Sequence, residues 1–233
     1  MIYYNGKALE AAAPVDVVDV LVSPIQLNAA TQERPLFGGE ELVRITPGTR
    51  TVEILFALLT DSLATRQQQL RQITAWARSS TPARLALPGH DGLYLEAVCT
   101  GLPSPSMRDW WADDLKIVFT CFDNPYWTSV QEKTSACGTA FTVLGDAPPL
   151  MRIERTLSAA ASNQAYARSG QSMSFSTVPA GKLVIDLNRQ TAAVNGQSIM
   201  QYYPLTGATF LRPQLGTQTI TGTGTVYWRE RWE

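Results

Sequence analysis

The chain is poor in the residues that catalytic centres draw on most. Its 233 residues hold one histidine, His90, and three cysteines, Cys99, Cys121 and Cys137. A single imidazole excludes a zinc enzyme built on two or three histidine ligands. The cysteines, 22 and 16 positions apart with no Cys-x-x-Cys, form neither a disulfide framework nor a zinc knuckle. They read as free thiols, buried or half-buried, in a reducing compartment. Charge is also scarce: 19 Lys plus Arg stand against 20 Asp plus Glu, 17% of the chain, for a net charge of −1. Without a basic surplus, non-specific adhesion to nucleic acid or to an acidic membrane lacks its driving force. No apolar run approaches the ~18–20 residues that span a bilayer. Met1-Ile2-Tyr3-Tyr4-Asn5-Gly6 has no basic segment ahead of an apolar stretch, so no secretory signal is expected.

Motifs for chemistry are missing too. There is no P-loop and no Gly-x-Gly-x-x-Gly; Gly222-Thr223-Gly224 lacks the third glycine and the helix that should follow. Gly-x-Ser-x-Gly is absent, so a serine hydrolase would have to work through His90 with Asp91 beside it. That histidine lies in Leu87-Pro88-Gly89-His90-Asp91-Gly92-Leu93, where Pro-Gly and Asp-Gly are turn chemistry, and it reads as a solvated hairpin tip. Asp113-Asp114 and Glu40-Glu41 are neighbours, and Asp16 and Asp19 differ by three; on a strand such pairs face opposite sides. None forms an acid/base pair. No enzyme activity, cofactor or metal is expected.

What is present is β periodicity, in a chain whose 45% hydrophobic content can build a real core. Val18, Val20 and Val22 alternate with Asp19 and Leu21. Val52, Ile54, Phe56 and Leu58 share a face, as do Leu93, Leu95 and Ala97, and Leu115, Ile117, Phe119 and Cys121. Between them lie turn clusters such as Phe37-Gly38-Gly39 and Thr46-Pro47-Gly48. Asn28 to Pro47 reads as a long polar excursion with few core positions, the kind of segment that often binds. One helix is expected over about residues 65–79, its stripe made by Leu70, Ile73, Trp76 and Ala77, with Gln67, Gln68, Gln69 and Arg71 outward. Asp61, Ser62 or Thr65 caps its start and Pro82 follows its end.

Composition shifts near residue 123. Up to Asn124 there are 10 basic and 14 acidic residues; from Pro125 on there are 9 and 6. Asp123-Asn124-Pro125 is a strong break, because the residue before proline is driven out of the helical region. A domain boundary is expected within 125–138, giving domains 1–130 and 131–233. The second part reads as a β-sandwich. Leu183, Ile185 and Leu187 alternate with Val184 and Asp186, and Asn195-Gly196 is a strong hairpin signal. Near the end, Val226, Trp228 and Trp232 share one face, with Tyr227, Arg229 and Arg231 on the other.

Taken in order, these segments resemble a known family. Phe119-Thr120-Cys121-Phe122-Asp123-Asn124-Pro125-Tyr126-Trp127 is followed by Gly181-Lys182-Leu183-Val184-Ile185-Asp186, then Val194-Asn195-Gly196, then Thr209-Phe210-Leu211 with Gly216-Thr217-Gln218-Thr219-Ile220. The succession is similar to the distal tail proteins of long-tailed, siphophage-type bacteriophages and prophages, over nearly the whole chain. Gln214-Leu215-Gly216 departs from it, where the family commonly has Pro-Gly.

The resemblance implies a mainly-β protein. An N-terminal β-sandwich or split-barrel-like domain with one helix would form a hexameric ring, and a galectin-like C-terminal β-sandwich would follow on the outside. The homo-hexamer would join the tail tube protein to tail-tip, baseplate or receptor-binding proteins. It would leave a channel for DNA without binding it specifically, in a virion whose parts are made in the host cytoplasm. The acidic excess of the first part would suit a channel wall that repels the DNA backbone. Asp123, Pro125, Tyr126 and Trp127 are then interface residues, or else an anchor at the domain junction. The alternative is a carbohydrate-binding module for host cell-wall polysaccharide, with Trp228, Trp232, Tyr202, Tyr203 and Tyr227 as the sugar-stacking candidates.

Overall fold

The computed structural model describes residues 1–33, 40–60, 62–104, 115–204 and 209–233. Phe37-Gly38-Gly39, Asp61 and Asp113-Asp114 lie outside the described residues. The chain is mainly β and forms two compact units, Met1–Trp127 and Thr128–Trp232, with Glu233 grouped with the first.

The first unit contains β1 (Tyr3–Tyr4), β2 (Lys7–Ala8), α1 (Leu9–Ala12), β3 (Val15–Val22), β4 (Leu27–Glu33), β5 (Glu40–Pro47), β6 (Arg50–Leu58), α2 (Leu63–Ala77), β7 (Ala83–Ala86), β8 (Leu93–Gly101) and β9 (Leu115–Cys121). The strands form an antiparallel sheet in the order β3–β6–β9–β8–β7–β1–β2, with β4–β5 apart as a two-stranded ribbon. Alternation explains the centre: Val52, Ile54 and Phe56 of β6 and Leu115, Ile117 and Phe119 of β9 are buried, as the sequence predicts. Tyr4, Trp76 and Phe119 meet with ring centroids 4.8–6.0 Å apart. The Trp76 indole N–H donates to the Lys7 carbonyl at 2.8 Å, so this large side chain is buried with its polar atom satisfied.

Two expectations are corrected here. In β3 a bulge between Val17 and Asp19 resets the alternation, so Val18 turns outward, 55% exposed, instead of sharing a face with Val20 and Val22. The helix spans Leu63–Ala77, capped by Ser62, whose Oγ accepts from the Thr65 N–H at 3.2 Å. Its inward stripe is Arg66, Gln69, Ile73, Trp76 and Ala77, while Leu70 is only half-buried. Gln69, expected outside, is inside because its amide donates to the Leu59 carbonyl at 3.3 Å, an acceptor at the loop entering the helix.

β10 (Trp127–Ser129) leads into the second unit. There follow β11 (Lys133–Ala136), β12 (Phe141–Val143), β13 (Ala147–Leu157), β14 (Ala161–Arg168), β15 (Gln171–Val178), β16 (Gly181–Asp186), β17 (Thr191–Val194), β18 (Gln197–Ser198), a 3₁₀ turn (Met200–Tyr202), β19 (Gly216–Gln218) and β20 (Thr225–Trp232). The main sheet runs β18–β17–β16–β13–β20–β11, and the ribbons β14–β15 and β12–β19 share its core. Ile153, Phe175, Leu183, Ile185 and Val226 are completely enclosed, which is the two-layer burial of a β-sandwich. Asn195 and Gly196 both have positive φ, 49° and 81°, the backbone that a tight hairpin turn demands.

Two polar devices complete this unit. Arg168, 4% exposed, donates to Gln218 at 2.5 Å, to Gln171 at 2.8 Å and to the Arg212 carbonyl, and so ties the segment after Phe210 to the β14–β15 ribbon. Across the main sheet, Arg152 donates to Glu132 at 2.6 and 2.9 Å and to Glu154 at 2.7 Å; Glu154 also meets Lys182 at 2.8 Å.

Candidate assembly interface

The surface that asks for a partner is the β4–β5 ribbon. Ala29 pairs with Ile45 and Leu27 with Pro47, and past a bulge at Val43 Thr31 pairs with Leu42, so Leu27, Ala29, Leu42, Ile45 and Pro47 share one face. The ribbon is therefore not simply polar, as the sequence reading has it: apolar residues from both strands gather on one face. Among the described residues its large side chains stay exposed. Leu27 is 67% exposed, Leu42 55% and Ile45 54%. Val43, the extra residue at the bulge, is 60% exposed. A lone two-stranded ribbon is at best marginally stable in water. Here it holds its register through its backbone ladder and a few hydrogen bonds at its base, such as Thr49 to Gln26 at 3.1 Å.

Beside the ribbon in sequence, β3 is an edge of the first sheet. Among the described residues it pairs only with β6, leaving its other side unpaired. Val18 and Leu21 stand exposed there together with Asp16 and Asp19. Acidic side chains and a bulge restrict what can add to such an edge and so favour a shaped partner over indiscriminate strand addition.

The residues singled out from the sequence fall in different surroundings. Asp123 is exposed, Pro125 buried, Tyr126 half-buried and Trp127 5% exposed. Trp127 stacks on His90, centroids 3.8 Å apart and planes within 14°. His90 is therefore not the freely solvated tip expected: the turn around it is held down by an aromatic stack. The five aromatics proposed to stack on sugar do not form one platform. Trp228 is 4% exposed and packs against Phe141 at 4.6 Å, so it has no open face for a pyranose ring. Tyr227 has the Arg152 guanidinium 4.6 Å above its ring. Tyr203 sits between Phe175 and Phe210, at 5.7 and 5.5 Å. Tyr202 and Trp232 are half-buried.

The electrostatics are structural in character. The Arg152 guanidinium holds the Glu132 carboxyl below the usual glutamate range. Burial pushes Glu154 up, but hydrogen bonds from Arg152 and Lys182 outweigh it and leave that carboxyl lowered as well. Burial raises the Cys121 thiol to about 12. Among the described residues no group of three or more His, Cys, Asp or Glu could hold a metal ion, and no helix is long and apolar enough to cross a membrane.

Neither a scan of protein-family models nor a search of curated proteins gives a match. Among solved structures the chain is similar to SPP1 Dit (gp 19.1), described as a paradigm of the hub adsorption apparatus in Gram-positive infecting phages. That similarity has a TM-score of 0.78 at 14% identity and covers 100% of this chain and 98% of that one. A further similarity is to the phage P2 baseplate in its activated conformation, seen with Ca at TM-score 0.45 and with Sr at 0.44, each 8% identical and covering 93% of this chain and 90% of the other. The fold is thus that of the SPP1 protein along its full length, in line with the distal-tail resemblance drawn from the residues.

Proposed function

We propose that the chain is a structural component of a bacteriophage tail tip. Six copies form a ring hub that joins the tail tube to baseplate or receptor-binding proteins and encloses a channel for DNA. The observation that carries this reading is the end-to-end fold similarity to SPP1 Dit, a hub protein, spanning both units. The assembly part rests on the β4–β5 ribbon and the β3 edge. An apolar face left uncovered on one part of a molecule, meeting a different surface on the next copy, is a heterologous contact, and such contacts generate closed rings when the rotation closes. A stable contact needs on the order of 1,000 Å² in total, more than one ribbon face supplies, so the β3 edge is assigned to the same interface. Asp123, Pro125, Tyr126 and Trp127 are assigned to the unit junction, since the tryptophan is already engaged by His90.

The reading is tested by co-expression with the products of neighbouring reading frames, which should include a very long tape-measure protein and a tail-tip protein. Co-purification of a stoichiometric complex with the tail-tip or tube product supports it. A genomic setting without tail genes, or no complex with either product, counts against it.

A further inference from the structure

The second unit carries a cleft that the assembly reading does not use. It opens at the β17–β18 turn beside the 3₁₀ turn and has a volume of about 350 Å³, within the ~300–1,000 Å³ of small-molecule sites. Ile199, 3% exposed, lies in its wall. Its polar lining is Asn195, Gln197, Ser198, Gln201 and Tyr202. Among the described residues no Asp, Glu, Lys, Arg or His lines it, whereas a cleft of the first unit contains Arg84 and Glu96. A carboxylate, phosphate or ammonium ligand would find no opposite charge here.

The polar groups are those that pair with sugar hydroxyls. Amides offer a donor and an acceptor side by side, and a hydroxyl offers both. Asn195 is held in place: its Oδ1 accepts from the Lys182 N–H at 2.9 Å, while the same residue's N–H donates to the Lys182 carbonyl at 3.0 Å. With Oδ1 engaged, the Nδ2 donors remain available. Gly181 makes this possible, because a Cβ there would come within 2.4 Å of the Asn195 Nδ2. Ser198 Oγ accepts from the Met200 N–H at 3.4 Å, which leaves its own proton to donate. Tyr202 packs partly on the core and lines the cleft, an aromatic surface of fixed position. Fixed donors next to a fixed ring reduce the ordering cost of binding.

We propose that this cleft binds one unit of a neutral saccharide, with Asn195, Gln197 and Gln201 pairing its hydroxyls and Tyr202 contacting its ring. The site is distinct from the buried Trp228 face and does not depend on the chain forming a ring. For so small a ligand on an open site the affinity is about millimolar.

The test is a titration of the full chain, followed by backbone and side-chain amide NMR shifts, with glucose, galactose, rhamnose and N-acetylglucosamine. Each is taken to about 50 mM, well above a millimolar dissociation constant. Galacturonate and glucose 6-phosphate serve as charged comparators. Saturable shifts at Asn195, Gln197 and Gln201 with at least one neutral sugar are expected, weakened tenfold or more in Gln201→Ala and Tyr202→Ala. Gln197→Ala changes an exposed side chain, so weakened binding in that variant with an unchanged melting temperature separates recognition from misfolding. No saturable shift with any neutral sugar, shifts centred elsewhere, preference for a charged comparator, or unaltered binding in both glutamine variants would each overturn the proposal.

Discussion

Replacing Leu42 and Ile45 with glutamate puts two charges on the apolar face of the β4–β5 ribbon. Fully burying a leucine or isoleucine is worth ~1.5–3 kcal/mol. These side chains are 55% and 54% exposed, so their remaining surface offers a little over half of that. The pair then contributes about 2–3 kcal/mol at each contact between copies, or an association weaker by about 30- to 150-fold. Burying the new carboxylates adds to the loss. The fold of the single chain should barely notice, because substitutions at such exposed positions change stability by about ±0.5 kcal/mol. Sedimentation velocity over a concentration series, paired with thermal melts, reads both quantities. The expected result is dissociation at concentrations where the parent chain stays assembled, with an unshifted melting temperature. An assembly of unchanged strength, or a melting temperature lowered by many degrees with assembly intact, would refute the reasoning; the latter would mean that the ribbon packs on its own chain.

Other consequences follow from single contacts. His90→Ala removes the stack on Trp127 and should cost about 0.5–1.5 kcal/mol, seen as a drop of a few degrees in melting temperature. Gln218→Leu takes one partner from the buried Arg168 guanidinium, and chemical denaturation should show a loss of about 1.5–3 kcal/mol, far more than Gln197→Ala at the exposed cleft rim. The Glu132 and Glu154 carboxyls are lowered in the folded chain, so their contribution is complete above the ordinary glutamate range and is lost as pH falls through their folded values. Acid titration should therefore weaken the second unit below about pH 4.5, and Arg152→Met should flatten that dependence. With its thiol raised to about 12 and no exposed surface, Cys121 should resist a thiol reagent at pH 8 until the protein is unfolded, when all three cysteines react.

The sequence was most legible where one face of a strand is buried, because burial imposes period two directly. Val52 to Leu58, Leu115 to Cys121 and Leu183 to Leu187 can be read off residue by residue. It was least legible where a local event broke that link. The bulge at Val17 and Asp19 shifts β3 by one residue, and nothing in its run of valines marks the position. In α2, Arg66 and Gln69 occupy the buried stripe, and a polar side chain inside a helix–sheet contact carries no hydropathy signal. Glu230 shares the Trp228 face of β20 and is buried, paired with the half-buried Lys133 at 2.8 Å from a strand distant in sequence. The ribbon is hard to read for the opposite reason: a bulge brings Leu42 onto the face of Leu27, Ala29 and Ile45, and all four are exposed where a hydropathy pattern would place them in a core. The cleft at Asn195 was invisible as a site because its residues converge only after the hairpin and the 3₁₀ turn form, although Tyr202 had been named among the aromatics.

The most direct measurement is cryo-electron microscopy of the purified chain, with mass determination by light scattering on the same sample. The account predicts hollow rings of six subunits, with a mass near six times 25.5 kDa, and the β4–β5 ribbon of each copy lying against its neighbour. Single 25.5 kDa particles at every concentration, persisting when the tail tube and tail-tip products are added, would contradict it.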